Sequence, residues 1–428
     1  MRARPESHVR RALRGFVGAV AWLTFPSCGA APTRAAAPLP EARASATARP
    51  SAPPDVAATA ASTAPSPPAP PTPTAFDALP GWREDSVAEA LPALRLSCTR
   101  ILSLPDGRAI GPGGIAGTAA DWKPACRALA TLDAASDADV ARAWFAHWFT
   151  PVSVAPGGND HGLFTGYYEP ELHGSRTRSR RFRTPLYGRP RDLVSGDAHH
   201  GPGRIERGRR HSYFTRAQIA AGAVRRTARA IVWVDDAVDA FFLEIQGSGR
   251  VVLEDGTVQH LNYDASNGHP YVPLGRVLIE RGVLDRAAVS LQSIRAWLVA
   301  NPREAQSMMN RNPSYVFFRE SDHGATGAEG VELTPGRSLA VDTRFIPLGA
   351  PLFVDIEPLE GLGPIRRLVV AQDTGGAIRG PVRGDVFWGA GSDAYDRAGR
   401  MRQHGRYWLL VPSAVADHVQ WASPAPAD

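Results

Sequence analysis

From about residue 230 onward, apolar residues arrive in short, separate runs: AIVWVDD, AFFLEIQGSG, RVVLEDGTVQHLNY, SLAVD, PLFVDI, RRLVVAQD and YWLLVP. Runs of this length, rich in Val, Ile, Leu and Phe, suit strands buried on at least one face. EDGT inside the third run reads as a tight Asp-Gly hairpin turn. No regular strand–helix alternation links the runs, which argues against a doubly wound parallel sheet. The pattern predicts a mainly β fold with some helices, organised as small β-barrels.

Helices are expected in four places. SDADVARAWFAHWF places Val140, Trp144 and Trp148 at helical spacing behind an acidic first turn. TRAQIAAGAV opens with a capping box, Thr215 and Gln218. RAAVSLQSIRAWLVA is a third, and NPREAQSMMN a fourth, with Asn301 as cap and Pro302 in the first turn. The Gly-rich GPGGIAG follows no clear strand and reads as a turn, not a nucleotide loop.

The N-terminus is a targeting segment and is set apart from the fold. Arg2, Arg4, Arg10, Arg11 and Arg14 precede the short apolar GFVGAVAWLTF, which is too short for an ordinary membrane span. FPSCGA then places Cys28 where a lipoprotein signal has its lipidated cysteine; secretion with cleavage nearby is the alternative. Residues 1–28 are thus a lipoprotein-type signal peptide. Residues 29–75, almost all Ala, Pro, Ser and Thr, are an extended, disordered linker. In an exported chain the remaining cysteines, Cys98 and Cys126, are expected to form a disulfide, with two buried free thiols as the alternative.

A net charge of +6 suits an anionic partner such as a cell-wall polymer or a membrane surface. No zinc finger, RNP-type aromatic motif or basic heptad helix is present, so nucleic acid ranks low. The segment from Gly174 to His211 is crowded with arginine (SRTRSRRFRTPLYGRPR, RIERGRR). It is either a solvated loop or a surface that attracts carboxylates on a polymer, to which arginine makes forked hydrogen bonds.

Common catalytic signatures are missing: there is no G-x-S-x-G elbow and no H-E-x-x-H, and the His199–His200 pair has no matching zinc ligands nearby. Acids at strand ends remain. Asp342 closes SLAVD, Asp373 closes RRLVVAQD, and Asp385 follows in RGDVFWG. If their strands share a barrel, the three carboxylates gather on one side. Mutual repulsion and burial then raise at least one pKa and keep a proton ready for a glycosidic oxygen. Gly375 and Gly376 make room for a sugar, and Tyr167, Tyr168, Phe387 and Trp388 offer stacking faces.

FTGYYEP, FFLEIQGSGRV, NGHPYVPLGRVLIERG, NPSYVFFRE, VDTRFIPLGAPLFVD and AQDTGGAIRGPVRGDVFWG occur in order between about residues 164 and 411. In these pieces the chain resembles the membrane-bound lytic transglycosylase A family, which cuts the glycan strands of bacterial peptidoglycan. The resemblance implies a double-psi β-barrel assembled from 76–185 and 322–428, with its three-aspartate part at 331–412. A second β-barrel, 186–321, is inserted, and the groove between the two holds glycan. By the same resemblance Asp373 is the catalytic acid and Asp342 and Asp385 support it. Thr165, Gly166, Tyr167, Tyr168, Gln246, Gly247, Ser248, Asn267, Gly375 and Gly376 contact substrate, and neither metal nor other cofactor takes part.

The expected reaction cleaves the β-1,4 bond between N-acetylmuramic acid and N-acetylglucosamine. The muramic acid 6-hydroxyl displaces the leaving oxygen, so one dominant acid suffices and a 1,6-anhydro ring forms. A water-using muramidase and a noncatalytic peptidoglycan-binding protein are the alternatives. The expected location is the periplasmic side of the outer membrane, lipid-anchored or else soluble, with cell-wall synthesis or division proteins as candidate partners.

Overall fold

The computed structural model describes residues 72–133, 137–154, 159–196 and 200–419; the signal segment, Cys28, His199 and nearly all of the Pro/Ala-rich stretch lie outside them. The strands in chain order are β1 (Phe149–Ser153), β2 (Gly162–Glu169), β3 (Glu171–Ser175), β4 (Thr184–Tyr187), β5 (Gly203–Glu206), β6 (Arg209–Ser212), β7 (Ala230–Val234) and β8 (Ser248–Leu253). They continue as β9 (Val258–Ser266), β10 (Val316–Ser321), β11 (Ser338–Val341), β12 (Pro351–Leu359), β13 (Gly363–Asp373), β14 (Arg383–Ala390) and β15 (Arg402–Pro412). The helices are α1 (Leu91–Ser103), α2 (Ala119–Thr131), α3 (Ala138–Trp148), α4 (Arg216–Ala220), α5 (Ala237–Gln246), α6 (Leu274–Glu280), α7 (Leu291–Ala300), α8 (Pro302–Met309) and α9 (Ser392–Arg400).

Two sheets carry the architecture. In the first, β15, β12, β13, β11, β14 and β2 follow one another and β2 returns to β15, closing a six-stranded barrel. The long β15 pairs with β2 through Arg402–Gly405 and with β1 through Trp408–Pro412, so β1 and β2 lie end to end along one of its edges. The second sheet runs β10-β9-β8-β3-β7-β4, and a single parallel bridge, Gly188 to Phe318, joins its two ends. The fold is thus mainly β, with a closed barrel and a second barrel-like domain.

The chain crosses to the second sheet at Pro170, because β3 pairs with β7 and β8, and β4 pairs with β7. The second sheet thus takes in β3, upstream of residue 186, and its last strand in the chain, β10, ends at Ser321.

The largest core fills the first barrel and the layer of α1, α2 and α3 packed on it, with Trp122, Phe145, Phe164 and Phe353 buried. On α3 the buried residues are Ala141, Trp144 and Phe145, while Val140 is 45% exposed, so the apolar stripe is rotated one position from the expected one. Cys98 on α1 and Cys126 on α2 form a disulfide. Arg337, just before β11, is buried in an ion pair with Asp85 and also meets Glu89, pinning the N-terminal segment to the barrel.

One predicted strand is a helix. AFFLEIQ forms α5, started by Asp236, whose carboxylate accepts from Val238 and Asp239 N–H, and stopped by Gly247 in the left-handed region. Val238, Ala240, Phe241, Phe242, Leu243 and Glu244 are all buried there, so the helix has almost no polar face and its apolar run imitates a strand. The capping box of α4 is present at Thr215 and Gln218. Asn301 does not cap α8; its amide instead donates to Trp297 O and closes the end of α7.

Candidate active site

The site begins with an irregularity in β13. Parallel pairing matches Ser338 with Val370 and Leu339 with Ala371, then skips Gln372 and sets Ala340 opposite Asp373. Such a bulge re-aims the following side chain. Gln372 turns into the interior, where its amide donates to Ala93 O and Ser97 Oγ and accepts from Ser338 Oγ. Asp373 takes the place beside Ala340 that an unbroken ladder would give to Gln372.

On the other side Ala340 pairs with Asp385 of β14, and Asp385 pairs with Thr165 of β2. Residues directly opposite in a sheet share a face, so Asp373, Ala340, Asp385 and Thr165 form one row. The two acids stand two strands apart, about 9.5 Å at the backbone, with only an alanine methyl between them. Tyr167, Ala325, Leu333, Ala340, Ile378 and Phe387 make an apolar cluster around this row, separate from the barrel core.

Three donors hold Asp373. Tyr167 Oη donates to Oδ2 at 2.9 Å, and the backbone N–H groups of Ala328 and Thr374 donate to Oδ1, each at 2.8 Å. Burial pushes this carboxyl up, the three donors pull it back, and the net shift is upward. Asp385 accepts from Thr165 Oγ1 at 2.6 Å, and Thr165 in turn accepts from Arg383 at 2.8 Å. Burial raises Asp385 to about 6 against the opposing pull of Arg383 and Thr165, and the Asp373 charge adds to the rise. Both residues are half-buried. The pair is therefore poised to hold a proton near neutrality.

Asp342 does not join them. It is 1% exposed, ion-paired to Arg344 at 2.6 Å, and it accepts from Gly380 N–H at 2.7 Å. Burial pushes its carboxyl up, but Arg344 and the Gly380 and Arg344 N–H groups outweigh that and leave it below the usual range. It clamps the far end of the loop that leaves Asp373. The expectation of three gathered carboxylates is corrected to two. Asp342 follows the end of β11 two positions beyond Ala340, where the loop from Arg379 to Pro381, not the acid row, lies against it.

Other expected contacts divide. Thr165 and Tyr167 lie in the row and on Asp373. Gly376 borders open space, whereas Gly375 turns tightly against Ile378. Gly166 serves packing: a Cβ there would lie 2.6 Å from Trp388 Nε1 and 2.9 Å from Ala398 Cα of α9. Tyr168 is buried against Tyr395 in the barrel core, and its backbone N–H donates to Gln246 Oε1 at 3.1 Å. Gln246 and Gly247 thereby couple the end of α5 to β2, and Ser248 opens β8, buried.

Asn267 is 1% exposed, with its amide spent on Phe214 O, Pro313 O and Tyr315 N–H, so it braces the second barrel from inside. The four expected stacking rings, Tyr167, Tyr168, Phe387 and Trp388, are all buried. They pack on protein, because the same glycine-containing strands that expose the acids bring α9 and the segment from Ala325 to Leu333 down onto the rings.

Four further residues belong to the site. Asn262 of β9 is 1% exposed and grips the chain entering the Ala325–Leu333 segment: its Oδ1 accepts from Thr326 N–H at 3.0 Å, and its amide donates to Gly324 O at 3.1 Å. That segment then delivers the Ala328 N–H to Asp373. Gly327 is required on the way, since a Cβ would lie 2.3 Å from Gln372 O. Next in the chain, Glu329 is buried, accepts from Ser97 Oγ at 2.7 Å, and is raised by burial to about 7. Tyr271, between β9 and α6, has its hydroxyl pKa pushed up by burial, with Arg216 lowering it and Asp385 raising it. Nothing in composition marks Asn262, Glu329 or Tyr271.

The family model described as the MltA-specific insert domain matches residues 163–319, and the 3D domain matches residues 337–411. Membrane-bound lytic murein transglycosylase A of Escherichia coli K12 is 34% identical over 273 residues, 61% of this chain and 70% of that protein. The solved membrane-bound lytic murein transglycosylase from Agrobacterium tumefaciens is 31% identical with a TM-score of 0.74, covering 82% of this chain and 100% of that one. Escherichia coli MltA with bound chitohexaose is 27% identical with a TM-score of 0.59, covering 80% and 95%. Fold and site together define a two-barrel enzyme of the lytic transglycosylase class. The chain belongs to the membrane-bound lytic murein transglycosylase A family.

Proposed function

We propose that this enzyme cleaves the β-1,4 bond between N-acetylmuramic acid and N-acetylglucosamine in peptidoglycan and releases a 1,6-anhydro-N-acetylmuramic acid end. The observation that carries the reading is the bulge-set pair Asp373 and Asp385, on one face of the closed barrel and both shifted upward. The chitohexaose held by the Escherichia coli relative supports a glycan as the ligand of the groove.

Asp373, protonated in its apolar setting, gives its proton to the leaving oxygen. The resulting carboxylate is stabilised by the Ala328 and Thr374 N–H groups and by Tyr167 Oη. It then removes the proton from the muramic acid 6-hydroxyl as that oxygen closes on the anomeric carbon. Asp385, held by Thr165 and with Arg383 behind it, places a second carboxyl in the row that, when ionised, attracts the oxocarbenium-like centre during transfer. Thr165 and Gly376 border the glycan path, with Tyr167, Gln246 and Ser248 packed behind them.

A second reading has a specific observation behind it: three donors favour ionised Asp373, so Asp385 stores the proton. Asp373→Asn and Asp385→Asn, assayed for release of anhydro-muropeptides from purified sacculi with a sacculus pull-down as binding control, decide between them. The reading expects the Asp373 variant to bind and to lose at least ~10²-fold in rate, the lower end for a general acid. A near-normal rate would overturn it. A product heavier by one water would establish the hydrolase alternative.

Cys28, by this proposal, carries lipid and the Pro/Ala-rich stretch tethers the enzyme to the periplasmic side of the outer membrane. The relatives' membrane-bound names support association with a membrane. Among the described residues no helix is long and apolar enough to cross one. Loss of membrane fractionation in Cys28→Ser is the expected result.

A further inference from the structure

A cleft of about 470 Å³ opens in the second domain, away from the acid row. Its walls are apolar, with Trp233 and Ile219 among them, and its back is the buried Arg216–Glu244 ion pair. Three more arginines stand at its mouth: Arg178, Arg183 and Arg225. Glu244 is the only carboxylate lining it and Arg216 already neutralises that charge, so the three rim cations are uncompensated.

None of the three makes an ion pair among the described residues. Arg178 lies over the Trp233 ring at 5.8 Å, Arg183 donates to the Arg180 carbonyl at 2.6 Å, and Arg225 faces the Tyr187 hydroxyl. Two of them, Arg178 and Arg183, come from the arginine-crowded segment that the acid chemistry leaves without a task. Guanidinium groups around an apolar pocket select a ligand with carboxylates on a compact aliphatic body.

We propose that this cleft binds the carboxylate-bearing peptide stem of the peptidoglycan strand whose glycan lies against Asp373 and Asp385. The proposal rests on the function given above and adds a second recognition site to it. Helix α5 connects the two places: Glu244 lines the cleft, and two residues on Gln246 accepts from Tyr168 N–H of β2, the strand that carries Thr165 and Tyr167. A stem of four residues extends roughly 13 Å from the glycan. Carboxylates meet Arg178, Arg183 and Arg225, and the methylene and methyl groups cover Trp233 and Ile219.

The test uses the mature enzyme and the free tripeptide L-Ala-γ-D-Glu-diaminopimelate, followed by tryptophan fluorescence and calorimetry. Its amidated form, inorganic phosphate and anionic phospholipid vesicles serve as competitors. Binding to the parent, at least tenfold weaker binding to the Arg178→Ala/Arg183→Ala/Arg225→Ala variant, and loss on amidation would support the proposal. The same variant, with rim residues exposed and melting unchanged, should lose about tenfold in kcat/KM on peptide-bearing strands and nothing on strands stripped of peptide by an amidase. Equal peptide affinity in parent and variant, indifference to amidation, or binding of vesicles in place of peptide would overturn it. Peptide binding by an enzyme that cleaves neither kind of strand would instead refute the glycan-cleaving function and leave the cleft's assignment standing.

Discussion

Replacing Tyr167 with phenylalanine removes one hydroxyl and leaves the ring against Phe387, 5.2 Å away between centroids. The hydroxyl donates at 2.9 Å to Asp373 Oδ2 and so favours the ionised carboxyl. Hydrogen bonds to charged groups contribute roughly 1.5–3 kcal/mol, and about 1.4 kcal/mol corresponds to one pKa unit. Two backbone donors remain on Oδ1, so the lower end applies and Asp373 should rise by about one unit. The acid must be protonated for the first proton transfer, so kcat/KM falls as pH passes upward through its pKa. The variant's alkaline limb should therefore move about one unit to higher pH. The assay is the initial rate of soluble muropeptide release from sacculi at low substrate, from pH 4 to 9 in buffers of constant ionic strength. A limb that stays in place, or moves to lower pH, would refute Asp373 as the proton donor and favour Asp385.

Asn262→Ala should unpin the segment that presents Ala328 N–H, lowering kcat at least tenfold with little change in KM and moving the alkaline limb the same way as Tyr167→Phe; unchanged kinetics would remove Asn262 from the site. Glu329 is raised in the folded state to about 7 from an ordinary 4.5. The stability its neutral form provides is complete below pH 4.5 and is lost as pH rises through 7, so Glu329→Gln should melt higher than the parent above pH 7 and alike below pH 4.5 by calorimetry. Cys98→Ser opens a loop with a sequence separation of 28, which should cost roughly 3–4 kcal/mol by loop entropy; denaturant unfolding without reductant measures it.

How far the sequence discloses this site depends on the range of the interactions involved. The apolar run that stops at Asp373, the hairpin turn before Thr257 and the capping box at Thr215 are local, and each is readable from a few neighbours. The acid row is a register among β13, β11, β14 and β2, decided by a one-residue bulge at Gln372 whose cause is the polar pocket offered by Ala93, Ser97 and Ser338. No periodicity announces that. Asp342 sits in a strand-end pattern like that of Asp373, and only Arg344 and Gly380 give it the opposite electrostatics. Asn267 and Tyr168 lie in recognisable motifs yet serve packing, because a motif preserves whatever holds the site as readily as what touches the ligand. The α5 helix was hidden by its own burial.

The closed barrel also dictates when this molecule becomes dangerous to a cell wall. Thr165 pairs with both Asp385 and Arg402, so strand β2 must wait for the last long strand before its edges are filled. Helices α1 and α2, being neighbours in the chain, can fold and oxidise early, but pairings of such sequence separation are reached slowly. Until β14 and β15 seat, Asp385 has no Thr165 beside it and Asp373 has no Tyr167. A full-length chain whose β14 and β15 have not yet seated therefore carries both acids without the neighbours that hold them. Delayed closure gives a wall-cutting enzyme the safeguard that other degradative enzymes obtain from a removable pro-segment.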